Sequence, residues 1–122
     1  MLIAGAGGFI GTCCRFLTNR FYLTYFQTSL PWATFTVNIL GCLLVGIISG
    51  LLNRTGILST QLNTFLVVGF CGGFTTFSTF SYESFSLGLN GAALTSLLYI
   101  IGSIVTGLFA VWLGMQITNR IV

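Results

Sequence analysis

The stretch GFCGGFTTFSTFSYE, Gly69 to Glu83, lies inside a long apolar run, yet it holds three glycines, six hydroxyl-bearing residues and the chain's single acidic residue among four phenylalanines. Adjacent Gly72 and Gly73 followed by β-branched Thr75 and Thr76 make a poor continuous helix, because both residue types lower helix propensity. The run therefore predicts a break near residues 72–77. A broken helix strands carbonyls on one half and N–H groups on the other, which a membrane tolerates only inside protein or beside an aqueous or ionic path. Such breaks mark ion sites, with carbonyls serving a cation and half-helix N-termini an anion. One Ser or Thr is explained by bonding back to its own helix. Five of them between 75 and 81, beside a glycine pair, point to function.

The rest of the chain says in what medium that break sits. Of 122 residues, 55% are hydrophobic and 4% charged, and mean hydropathy is +1.01. A soluble domain of this size carries about a quarter charged residues, so the chain reads as an integral membrane protein. Apolar character continues to Val122, unlike a secretory leader ahead of a soluble domain. Cys13, Cys14, Cys42 and Cys71 all fall in apolar stretches without metal or redox spacing and read as small packing residues. The four arginines, Arg15, Arg20, Arg54 and Arg120, are scattered with no basic run, so nucleic acid is excluded as a partner.

A helix needs about 20 apolar residues to cross the hydrocarbon core. Residues 2–21, 31–52, 61–87 and 91–117 supply four such spans and leave no second domain. Pro31 suits the first turn of the second span, Asn53-Arg54-Thr55-Gly56 ends it, and Gly88-Leu89-Asn90-Gly91 separates the third from the fourth. Four spans put the termini and the second loop on one side with Arg54 and Arg120, and the first loop opposite with Arg20 and nearby Arg15. Orientation follows an excess of Lys and Arg, and two against two gives none. The balance predicts insertion both ways round and an antiparallel pair. Gly7-x-x-x-Gly11, Gly46-x-x-x-Gly50, Ser103-x-x-x-Gly107 and Ala110-x-x-x-Gly114 are close-approach faces, fit for packing within the chain or between copies.

Several polar and aromatic residues within the spans are candidates for the site. Asn38, in TFTVNILG, needs partners for its amide, either an interhelical bond or a role as N–H donor into a pore. Ser103 and Thr106 could add hydroxyls. Phe77 and Phe80, at i and i+3, share a helix face. They read as packing, or as rings whose positive edges hold a small anion. Glu83 and Arg15 are ionisable groups near span ends, functional by default at depth but able to reach water.

GGFIGTCCRF (Gly7 to Phe16), TFTVNILGC (Thr34 to Cys42) and the broken-span stretch together resemble, in order and spacing, the signature segments of the Fluc fluoride-channel family, also called CrcB. The resemblance spans essentially the whole chain. It implies an all-α integral membrane protein of four transmembrane helices with the third broken, assembled as a dual-topology antiparallel homodimer in the bacterial inner membrane. It further implies no enzymatic activity but passive fluoride export through two pores, each lined by both subunits. Phe77 and Phe80 would be the aromatic boxes and Asn38 a pore amide. Thr79, Ser81, Tyr99 and Ser103 would form a polar track, with Glu83 near a pore mouth and Arg15 beside a vestibule. The backbone carbonyls of Gly72 and Thr75 from both subunits would hold a structural sodium ion. Two rivals remain. A small multidrug-resistance-type antiporter needs a deep carboxylate for proton exchange, and the first span has none. A non-transporting membrane subunit would merely bury the polar stretch.

Overall fold

A computed structural model describes residues 1–26, 30–55 and 60–121, and all the regular structure among them is helical. Helix α1 runs Leu2–Tyr25 and α2 Trp32–Thr55; the third segment is composite, and α6, Ala93–Ile121, closes the chain. The third segment consists of α3 (Thr60–Asn63), a π-helix π1 (Thr64–Cys71), α4 (Gly72–Phe74) and, after an interruption, α5 (Ser78–Leu89). Among the described residues three segments, Trp32–Arg54, Thr60–Leu89 and Ala93–Ile121, are long and apolar enough to cross a membrane. Helix α1, at 24 residues, has a length of about 36 Å, but Arg15, Arg20, Asn19 and three threonines dilute its apolar character.

The expected boundaries shift by a few residues. Pro31 stands just before α2, its carbonyl accepting the Phe35 N–H at 3.1 Å. Gly56, expected to end the second span, lies outside the described residues. The turn after α5 is built on Gly91, whose φ of +80° is left-handed. Ala92 N–H donates to Leu87 O at 3.0 Å and Gly91 N–H to Gly88 O at 3.3 Å, the paired bonds of a Schellman stop.

The helices pack as two glycine-sealed pairs. α2 lies along α6, where a Cβ on Gly46 would strike Val111 O and one on Gly114 would strike Leu43 O. α1 lies along π1 and α4 in the same manner, Gly7 against Phe65 O and Gly11 against Phe70 O. Without lipid-driven hydrophobic gain, such backbone proximity maximises dispersion contacts between membrane helices. The surface of the third segment that meets α1 recurs at Phe65, Gly69 and Phe70, then Gly73 and Phe74. The i→i+5 winding of π1 keeps those residues turned toward α1.

Between the two pairs the contacts turn polar. Tyr22 on α1 and Thr36 on α2 share a hydrogen bond of 2.8 Å, and Ser96 Oγ on α6 donates to Ser84 O on α5 at 2.6 Å. Asn38 on α2 reaches Thr76, and Tyr99 on α6 reaches Glu83. The broken segment lies on this polar seam, where side chains can replace the backbone partners lost at the break.

Candidate functional site

The interruption falls at 75–77. Thr75 is extended, with φ −86° and ψ 164°, which ends α4. Its N–H and hydroxyl both donate to Cys71 O, at 2.9 and 2.8 Å. Beyond it the helical ladder is rerouted through side chains. Thr76 N–H, which would complete the bond to Gly72 O in a continuous helix, donates instead to Asn38 Oδ1 at 2.8 Å. Thr79 N–H, the ladder donor of Thr75 O, goes to Thr76 Oγ1 at 3.2 Å, so Thr76 caps the opening turn of α5.

The two diversions leave the carbonyls of Gly72 and Thr75 without their ladder donors. Gly73 O, between them, accepts Arg15 Nε at 3.1 Å, and Thr76 O accepts Asn38 Nδ2 at 3.0 Å. Freed backbone oxygens are the donor set that a small hard cation takes. The chemistry of these two oxygens is compatible with a small hard cation.

Asn38, Phe77, Phe80 and Ser103 converge on one cavity of about 400 Å³, together with Thr75, Thr76 and Cys42. The Phe77 and Phe80 rings lie 6.1 Å apart and tilted by 44°, and Phe80 meets the Tyr99 ring at 5.1 Å. Ser103 Oγ is enclosed and has no hydrogen-bond partner among the described residues. Buried hydroxyls are nearly always paired, which makes this one an exception.

The remaining candidates divide by helix face. Thr79 lies on a second cavity of about 260 Å³ with Thr12, Arg15, Asn19, Thr34 and Glu83. Ser81 lies with Phe77, Phe80 and Ser84 in an open groove on the far side of α5. Residues two apart on a helix face different ways, so Thr79 and Ser81 do not share one wall. Glu83 also borders an outer cavity of about 470 Å³ with Asn19, Tyr22, Ser86 and Asn90. Tyr99 Oη donates to Glu83 Oε1 at 3.2 Å. Thr34, 7% exposed, lies within hydrogen-bonding reach of both.

Three details of the site escape sequence reasoning: the part of Thr34, the double role of Thr76 and the target of Arg15. Thr34 sits four residues before Asn38 on the same face of α2, a spacing that could have found it. Thr76 does double service as the backbone partner of Asn38 and the cap of α5. The bond from Arg15 to Gly73 joins residues 58 apart in the chain. The four cysteines are free thiols, and Cys71 is packed to 2% exposure.

A multi-pass helical membrane protein with a broken segment, freed carbonyls and an aromatic-lined cavity is the class that fold and site define. The family model described as "CrcB-like protein, Camphor Resistance (CrcB)" matches residues 2–115. The chain belongs to this CrcB family. It is 44% identical over 119 residues to the "Fluoride-specific ion channel FluC" of Chlorobium phaeobacteroides (strain BS1), covering 98% of this chain and 92% of that protein. Similarity to the "Fluoride-specific ion channel FluC 2" of Rhodococcus jostii (strain RHA1) is 43%, covering 98% of each. The Flavobacterium psychrophilum protein named "Fluoride-specific ion channel FluC" is 43% identical, over 94% of this chain and 93% of its own.

Proposed function

We propose that this protein is a fluoride-selective passive ion channel, not an enzyme, that lets fluoride leave the bacterial cytoplasm across the inner membrane. The observation that carries the reading is the cavity at the break, where Asn38, the rings of Phe77 and Phe80 and the unpaired Ser103 hydroxyl meet. Near-full-length similarity to proteins named for fluoride conduction supports it. Fluoride is small and strongly hydrated. A path for it must replace water with N–H and O–H donors and ring edges, while holding the ion weakly enough to release it. Fluoride enters a cell as its neutral acid and dissociates inside, so a negative membrane potential drives the anion out through a passive path with no coupled fuel.

The working unit is an antiparallel homodimer with two pores, each lined by both subunits. Phe77, 79% exposed in the single chain despite its position at the break, supports this arrangement because a second copy would cover it. The balanced arginines support insertion in both orientations. A sodium ion held by the Gly72 and Thr75 carbonyls of both copies would supply a fixed positive charge that keeps four backbone dipoles together at the dimer centre. Thr79, Ser81, Tyr99 and Glu83 then serve as polar stations toward the mouths, with Arg15 beside the vestibule.

The test is reconstitution of purified protein into liposomes with internal and external pH held equal. Fluoride release should begin when valinomycin permits compensating potassium movement, and should persist without a proton gradient. Release only with a proton gradient, abolished by Glu83→Gln, would favour an antiporter; no release from folded protein would favour a non-transporting subunit.

A further inference from the structure

We infer that Arg15 is a positioning residue for the freed carbonyls: its bond to Gly73 O holds the break open so that Gly72 and Thr75 present their oxygens to a cation. The inference rests on the sodium-site reading above.

Arg15 lies on one stripe of α1 with Ala4, Gly7, Gly8, Gly11 and Thr12, at spacings of three and four residues. The glycines of that stripe bring α1 into backbone contact with the third segment. The contact runs out at Gly73, where an added Cβ would come within 2.6 Å of Gly8 O and 3.0 Å of Thr12 Oγ1. One turn further along α1, Arg15 Nε takes Gly73 O itself at 3.1 Å. In a continuous helix that oxygen would accept the Phe77 N–H. By occupying it, Arg15 opposes re-formation of the ladder from the α1 side, as Asn38 does at Thr76 from the α2 side. The oxygen lying between the two cation ligands is thereby satisfied by a charged donor.

A guanidinium near a cation site also has a plain electrostatic effect of opposite sign, since removing its charge should tighten cation binding. Positioning and repulsion therefore predict opposite outcomes for the same substitution.

The experiment is thermal unfolding of the purified full chain in detergent, titrated with sodium chloride against N-methylglucamine chloride at constant ionic strength. An ion that binds only the folded form raises Tm by mass action, which gives a sodium half-saturation. Arg15→Ala should raise that value about tenfold or more, the effect of losing one charge-assisted bond. Arg15→Lys should restore part of it, and Arg54→Ala, an exposed charge at the end of α2, should leave it unchanged. Should the alanine variant not fold, Arg15→Gln carries the same prediction. Half-saturation unchanged or lowered in the Arg15 variants overturns the inference and leaves the sodium site standing. No sodium dependence in the unsubstituted protein overturns both, while fluoride release separately judges the channel.

Discussion

Both polar atoms of the Asn38 side chain are taken by the backbone of one residue, Thr76: Oδ1 accepts its N–H at 2.8 Å and Nδ2 donates to its carbonyl at 3.0 Å. The amide thus replaces, from a neighbouring helix, the backbone partners that Thr76 loses at the break. One Nδ2 hydrogen remains to face the cavity. A side chain read from sequence as either a structural bond or a pore donor has the hydrogen-bonding capacity for both.

Asn38→Ala removes two part-buried bonds, about 1 kcal/mol each and more if the backbone groups stay dry. Fluoride flux is expected to fall by at least about tenfold, with the variant still eluting as folded protein by size exclusion. Unaltered flux would detach Asn38 from the path.

Phe80 contacts both Phe77 and Tyr99. Phe80→Ile keeps an apolar side chain but removes the ring edge and both aromatic pairs, so flux should drop severalfold while Tm shifts by only a few degrees. A large Tm loss with undiminished flux would make the ring a packing element.

Ser103 separates stability from function by sign. An enclosed hydroxyl without a partner costs about 1–3 kcal/mol in the folded state, so Ser103→Ala should leave Tm unchanged or raise it. If the missing partner is the permeating anion, flux should fall in the same variant. Lower Tm together with normal flux would contradict this account.

The glycine seals make a paired prediction. Gly46→Ala drives a methyl into Val111 O, a backbone atom that cannot swing aside, and should destabilise by about 1–3 kcal/mol. Gly102→Ala, with nothing within 4 Å of the new methyl, should be neutral or stabilising by up to about 1 kcal/mol. Thermal unfolding of the two variants side by side checks the contrast.

The break was legible because Gly72-Gly73 and Thr75-Thr76 disfavour a helix through local conformational preference, and the extended residue falls at Thr75 within the expected window. The four long helical segments were legible from apolar length, although α1 proved more polar than the others. The π winding of Thr64–Cys71 was not: TFLVVGFC is ordinary apolar helix by composition, and its winding accompanies a packing contact with α1 that no local signal reveals. The target of Arg15 was half legible. Its place on the Gly7 and Gly11 face could be read from spacing, whereas the apposition of that face to Gly73 belongs to the tertiary fold. Thr79 and Ser81, two residues apart, stand on different faces of α5, a separation visible from their spacing.

The most direct measurement is the release of fluoride and chloride from the same liposomes, loaded with both ions and followed with two ion-selective electrodes while valinomycin carries potassium. Fluoride should leave rapidly through the folded protein and chloride should stay, because donors arranged for a small hydrated anion do not compensate a larger one. Equal release of the two ions, or retention of both, would contradict a fluoride-selective path at the Asn38–Thr76 break.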